Sequence, residues 1–371
     1  MQAFSVLIIT GTFIMYDIIP SFITAFIISF FAIPSIIKIA VAKNLYDEPD
    51  ERRSHTERTP SLGGIGIFAG LIFSITYWIP FDTCDNPEHE HIKYVLCAYI
   101  IIFLIGAKDD IIPLTPVKKF LGQLLAAFIL VYKANIKLSS LYGIFGVYDI
   151  PEWISIPLSI FTIIVIINSF NLIDGINALC GTIGIITCIA FGTWFYFHGR
   201  LDLAVLAAAN VGALMAFLFY NVTPARIFMG DTGSLIVGLT ASILSISFIE
   251  NNKFWHDEWF IESVPAVAIG VLIVPLFDTL RVFILRAMRG KSPFHPDRTH
   301  VHHLLIDLGF THLQATGVLA LVNIMFITLA YFLRQLGSAA LMIILFGLAG
   351  ILTGALFYLV YRKKRLENNQ N

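Results

Sequence analysis

The chain is short of charge, of paired cysteines and of basic clusters, and each shortage removes a class of protein. Only 13% of its 371 residues are Asp, Glu, Lys or Arg, against about 25% in soluble domains. Hydrophobic residues make up 57%, and mean hydropathy is +0.81. These values exclude a water-soluble globule and any domain count based on soluble chain lengths. The four cysteines are Cys84, Cys97, Cys180 and Cys188; three lie in apolar stretches and none forms a CxxC pair. A disulfide framework or a zinc site is therefore not expected. Formal net charge is -1, and no basic arm or aromatic-basic stripe points to nucleic acid. Residues 1–20 have no basic n-region and no small-residue cleavage site, so a cleaved signal peptide is not expected either.

What the chain does have is a succession of apolar runs. A spanning helix takes about 20 apolar residues. Candidates lie at 21–41, 62–81, 94–107, 119–135, 155–172, 178–197, 202–220, 234–249, 264–285, 313–333 and 338–361. The expected fold is all-α: a polytopic membrane bundle of about 11 transmembrane helices, forming a single domain over residues 1–371. Residues 1–20 form an N-terminal extension that either prolongs the first helix or lies at the interface.

Lysine and arginine set the orientation. The loops 42–61, 108–118, 173–177, 221–233 and 286–312, with the tail after Tyr361, hold Lys43, Arg52, Arg53, Arg58, Lys108, Lys118, Arg226, Arg286, Arg289, Lys291 and Arg298. The tail, 362–371, is basic then polar, and its run Arg362–Arg365 reads as a topology anchor near acidic lipids. The alternate loops hold only Lys93, Lys137, Arg200, Lys253 and Arg334, with Lys133 nearby. The first set is expected in the cytoplasm, with the N-terminus outside and the C-terminus cytoplasmic.

Four polar motifs fall on that same side. Polar and ionisable groups at a membrane edge are costly and tend to be functional. Asp109-Asp110 ends one segment, with Pro113, Pro116 and the pair Lys118-Lys119 following. Two neighbouring carboxylates suit magnesium, which takes one or two acids beside substrate phosphates; one with a raised pKa suits a general base; a solvated loop tip is the plain alternative. Asn168, Asn171 and Asp174 recur every three residues, so they share a helix face. That stripe faces a site or forms an inter-helix hydrogen-bond patch. In the segment Phe228 to Ser234, Gly230 and Gly233 flank Asp231 just before an apolar run. Here a helix N-terminus can meet an anion while Asp231 holds a cation, or Asp231 is a simple cap. His300-Val301-His302-His303, preceded by Arg298, supplies phosphate-binding groups or, less in keeping with the lack of cysteine, zinc ligands. Asp278 and Arg281, three apart on one helix near its cytoplasmic end, are explained as well by an ion pair within the membrane as by a catalytic part, and the ion pair is preferred.

The ordered set resembles one family, the polyprenyl-phosphate N-acetylhexosamine-1-phosphate transferases. The pattern starts with Asp47-Glu48-Pro49-Asp50, Arg52-Arg53, His55 and the stretch Thr59 to Gly64. It continues through Asp109-Asp110 with Lys119-Phe120 and Gln123, then Asn168 to Asp174, Phe228 to Ser234 and His300 to His303. It covers residues 44 to 320, most of the chain. The family often reads Asp-Gly-x-Asp-Gly where this chain has Asp174-Gly175-Ile176-Asn177-Ala178, so an amide replaces the second acid and alanine the second glycine. The His-x-His-His order and eleven spans look more like the N-acetylglucosamine-1-phosphate branch than the phospho-MurNAc-pentapeptide branch.

The resemblance implies a magnesium-dependent phosphotransferase, with manganese as a substitute ion. It would act in the bacterial cytoplasmic (inner) membrane with its active site on the cytoplasmic face. The reaction it implies moves a phospho-N-acetylhexosamine, GlcNAc-1-phosphate before others, from a UDP-sugar to undecaprenyl phosphate, releases UMP and starts a cell-envelope polysaccharide. The implied catalytic residues are Asp109, Asp110 and Asp231, with Asp231 and Asn171 at the metal. The implied substrate-binding residues are Lys119, Asn168, Asn171, Asp174, Asn177, Arg298, His300, His302 and His303. Partners would be the UDP-sugar, a polyprenyl phosphate and the membrane, with no nucleic acid, and a homodimer is left open. A secondary transporter, whose polar groups sit near the bilayer midplane, and a non-catalytic lipid-binding protein are the rival classes.

Overall fold

The computed structural model of the chain describes residues 2–46, 59–79, 90–254, 260–288, 290 and 299–368, with backbone alone for 2–16 and Glu90. Helices follow one another as α1 (Gln2–Ala42), α2 (Gly63–Trp78), α3 (Glu90–Ile111) and α4 (Pro116–Tyr132). A small antiparallel hairpin, β1 (Ser140–Ile144) and β2 (Val147–Asp149), precedes α5 (Glu152–Ile173), α6 (Leu179–Phe197), α7 (Leu201–Asn221) and α8 (Gly230–Asn251). Then come α9 (Val264–Val271), α10 (Ile273–Met288), α11 (Val301–Asp307), α12 (His312–Phe332) and α13 (Ser338–Asn368). Local signals set several starts. Pro116 opens α4, where a missing N–H costs nothing, and Thr311 with Gln314 forms a capping box on α12.

Every apolar interval read from the sequence overlaps a helix, 264–285 both α9 and α10, though 62–81 and 119–135 extend past the ends of α2 and α4. Among the described residues seven helices are long and apolar enough to cross a membrane: α1 from Asp17, α5, α6, α7, α8, α12 and α13. An eighth is α9 with α10, which meet at an 86° bend. The remaining three expected spans are weaker for evident reasons. Helix α2 has only 16 residues, α4 only 17, and α3 carries Lys108, Asp109 and Asp110 in its last turns. The hairpin is an addition to the expected all-α fold. Residues 2–16 are the first part of α1.

Helix α8 is the axis of the bundle. Its most apolar stretch is wholly buried, and it packs against α2, α3, α5 and α6. The helix is rich in Gly, Ala, Ser and Thr, which let neighbouring backbones approach where lipid offers no hydrophobic drive. At mid-depth Thr240 is bonded at 2.7 Å to the Tyr99 hydroxyl and to the Asn210 amide, tying α3 and α7 to it. The hairpin is pinned beside the C-terminal end of α8: the Ser139 amide donates to Glu250 (2.8 Å) and the Tyr142 hydroxyl to the Ile249 carbonyl (2.9 Å). The polar motifs gather at the opposite end. There the α13 tail also finds protein partners. Lys363 bonds the Asp307 carbonyl at 2.9 Å and Lys364 the Asp307 carboxylate at 3.1 Å, fastening the tail to α11.

Candidate active site

The site is built around the first turn of α8. Residues 59–64 run beside 228–229, joined by backbone bonds from Phe228 to Pro60 (2.7 Å), Gly63 to Phe228 and Gly64 to Met229 (both 2.9 Å). Asp110, at the end of α3, then caps α8 from outside. It accepts the amides of Asp231 (2.7 Å) and Thr232 (3.0 Å) and the Thr232 hydroxyl. Those amides are orphan donors at a helix start, and a carboxylate there is favoured by the dipole as well. Gly230 makes the approach feasible. Its φ is +70°, and a Cβ would collide with the Ser61 carbonyl and the Asp110 carboxylate.

With Asp110 so engaged, Asp231 points away from its own helix. The Asn171 amide donates to it at 2.7 Å and to Ser234 at 2.9 Å. The Lys119 ammonium pairs with Asp231, lies 3.3 Å from the Asn171 carbonyl oxygen and 3.4 Å from Asp109. Helices α3, α4, α5 and α8 thus each send one side chain to a single point. Asp109 also accepts the Leu114 amide. Burial raises its pKa, and the adjacent Asp231 charge adds to the rise against the pull of Lys119. Burial likewise lifts Asp110, to about 7, against the Thr232 hydrogen bonds.

A cavity of about 530 Å³ opens beside this cluster. Its wall includes Asp109, Asp110, Asn171, Asp174, Asn177, Asp231 and His303. Asp174 ends α5, its amide donating to the Asn171 carbonyl at 3.4 Å, and burial with the charges of Asp231 and Asp110 pushes its pKa well up. Asn177 reaches the cavity while its amide holds Thr223 at 3.0 Å. Next to it Ala178 keeps a left-handed backbone, φ 66°, the geometry that explains the glycine of the family pattern.

Other expected residues lie elsewhere. Asn168 exchanges amide hydrogen bonds with Gln123 (2.7 and 3.3 Å), joining α5 to α4 rather than facing the cavity. His300 is buried against Asp278, and His302 lies against Gly175, where burial lowers its pKa to about 3 and keeps it neutral. Of the three motif histidines, His303 is the one on the cavity wall. Arg298, with Asp47–Asp50, Arg52, Arg53 and His55, lies outside the described residues. Sequence reasoning missed Tyr46 and Asn221 on the wall, and gave no role to Ser61 of the Thr59–Gly64 stretch. Asn221 bonds the Ala178 amide and the Ile227 carbonyl, bridging two site loops. An asparagine ending an apolar helix was the available signal.

A tight test of this packing is Gly175→Ala, whose new Cβ would run into the His302 ring. We expect activity to fall about 10²-fold, the scale of an ångström misplacement near chemistry, and the melting temperature to fall with it, since overpacking a buried ring costs about 1–3 kcal/mol. Near-normal turnover would show that the contact does not matter.

Among the described residues no three Asp, Glu, His or Cys side chains form a ready metal cage. The donors that do converge on the Lys119 ammonium are carboxylate and amide oxygens. Hard oxygens in small number fit magnesium, which leaves most of its coordination to water and phosphate.

Apolar helices around a buried axis, with an acid-and-amide cavity at one helix start, define a multi-pass membrane protein with a polar cavity at one end of its bundle. Residues 92–249 match the family described as glycosyl transferase family 4. The chain is 30% identical over 316 residues to an undecaprenyl-phosphate alpha-N-acetylglucosaminyl 1-phosphate transferase of Escherichia coli O157:H7, covering 82% of this chain and 80% of that one. The same identity holds over 293 residues with the Salmonella typhi protein of that name, covering 76% and 75%. It holds over 326 residues with a probable undecaprenyl-phosphate N-acetylglucosaminyl 1-phosphate transferase of Bacillus subtilis (strain 168), covering 86% of each. The chain therefore belongs to the polyprenyl-phosphate N-acetylhexosamine-1-phosphate transferases, a family of membrane phosphotransferases.

Proposed function

We propose that the protein transfers GlcNAc-1-phosphate from UDP-GlcNAc to undecaprenyl phosphate and releases UMP, making the first lipid-linked intermediate of a cell-envelope polysaccharide. The observation that carries this reading is the meeting of Asp109, Lys119, Asn171 and Asp231 beside a cavity at the N-terminus of α8. The names of the relatives support the transferred group and the lipid. The excess of Lys and Arg in one set of loops supports a cytoplasmic face of the inner membrane, and the eleven apolar intervals of the sequence support eleven crossings.

The location suits the reactants. An isoprenoid chain stays in the bilayer and a nucleotide sugar stays in water, so their phosphates meet at the headgroup plane. A lipid phosphate oxygen attacks the sugar-proximal phosphorus, and the bond from that phosphorus to the UMP oxygen breaks. The sugar C1–O bond is untouched, so anomeric configuration is retained. Both oxygens of Asp110 are committed to α8, which leaves Asp109 as the acid that orients the lipid phosphate and takes its proton. Lys119 offsets phosphate charge, the main electrostatic task in phosphoryl transfer, and His303 adds to it from the opposite wall. Asp174 and Asn177 line the nucleotide and sugar side. A magnesium ion, or manganese, would be held by Asp231 and Asn171 and would neutralise pyrophosphate charge.

The deciding assay supplies purified protein with magnesium and UDP-GlcNAc and measures UMP. Release is expected only when undecaprenyl phosphate is added, and to stop with a chelator. Running other UDP-N-acetylhexosamines, UDP-MurNAc-pentapeptide among them, fixes the donor. Solute movement without UMP release would instead favour a transporter.

A further inference from the structure

The pair Asp278 and Arg281 on α10 has no part in the reaction described above, yet it is not an isolated ion pair. Asp278 is 3% exposed and both of its oxygens are used. One accepts Arg281 (2.7 Å) and the Val301 amide (3.0 Å); the other accepts His300 Nδ1 (2.8 Å). Arg281 closes the ring by donating to the Thr299 carbonyl. Apart from the ion pair itself, these contacts are to residues 299–301, where α11 begins. From there three imidazoles follow in line, His300 to His302 nearly parallel at 5.6 Å and His302 to His303 at 4.3 Å. The far end of the row rests on Asp278 and the near end is at the cavity wall. Gly175 leaves just room for His302 in the middle.

We propose that Asp278 is a positioning residue: by fixing the His300–Val301 turn on the bent helix α10 it holds His303 at the cavity, where the diphosphate of the soluble substrate is bound. The inference deepens the transferase reading and rests on it for the identity of that substrate. A carboxylate on Nδ1 fixes ring tautomer and orientation, the usual way an outer partner aims a histidine. His300 then serves as a link between Asp278 and the motif rather than as a phosphate ligand.

The test is a set of variants assayed for UMP release. Asp278→Asn is expected to raise KM for UDP-GlcNAc about tenfold, a modest misplacement cost, with KM for undecaprenyl phosphate unchanged. Combined with His303→Ala it should add nothing further, because both changes remove one function. His300→Ala should match Asp278→Asn. His300→Asn can still donate to Asp278 and should recover most of that loss. The proposal is overturned if Asp278→Asn keeps its full factor in the His303→Ala background, or if His300→Asn is as impaired as His300→Ala. Amide hydrogen exchange over 299–307 reads the anchor without any activity. Exchange should quicken in Asp278→Ala and His300→Ala but not in His300→Asn. If the wild type turns over no UDP-sugar, the transferase reading fails, and exchange then decides alone: equal protection in wild type and Asp278→Ala sinks the anchor.

Discussion

Asp231→Asn is expected to lower UMP release by about 10³-fold or more while the protein keeps its yield, elution and melting temperature. The magnitude is that of removing one principal electrostatic group from a preorganised site. The fold should survive because the start of α8 does not depend on this side chain. Its amide bonds run from the backbone of Asp231 and Thr232 to Asp110, and they remain in the variant. What is lost is the charge that meets Lys119 and the oxygen set it shares with Asn171. An amide of the same shape accepts from Asn171 but no longer balances a cation. Turnover within a few-fold of wild type would end the assignment of Asp231 to the metal.

The second large effect separates two neighbours in sequence. Asp109→Asn should also lose about 10³-fold in turnover with little change in stability, since Asp109 faces the cavity and Lys119. Asp110→Asn should lower the melting temperature first. An amide nitrogen would replace an oxygen that accepts from α8, leaving a buried donor unmet at a cost of about 1–3 kcal/mol. Its loss of activity should follow from movement of Asp231, so rescuing stability, for example in a lipid nanodisc, should restore part of it. A stable, inactive Asp110→Asn beside an active Asp109→Asn would reverse the two roles. The contrast is measurable because the two carboxylates, adjacent on α3, point about 100° apart on a helix and so meet different partners.

Much of this site could be read before any fold was known. Asp231 between two glycines, the three-residue spacing of Asn171 and Asp174, and Asp109-Asp110 at the end of an apolar run all stood out against greasy surroundings. All of these lie on the cavity wall. Asn168 followed the same spacing but turned toward Gln123, because one helix face can be shared between a site and a neighbouring helix. The histidine motif was legible as a cluster and not as a sequence of roles. Burial of His300 and His302 depends on α10 and on Gly175, and neither is near them in the chain. Asp278 looked like a membrane ion pair because its chief partner, the turn before α11, is 22 residues away.

The sequence alone determined that this chain lives in a membrane and which residues are too polar to be there without a task. That much follows from composition and local spacing, since the cost of placing charge in apolar surroundings is paid residue by residue. Only the tertiary structure decided which of those residues share a cavity, that Asp110 caps α8 while Asp109 turns to Lys119 and the cavity, and that α9 and α10 meet at a sharp bend. Direction of a side chain is set by packing between helices distant in the chain, and a linear pattern carries no record of that.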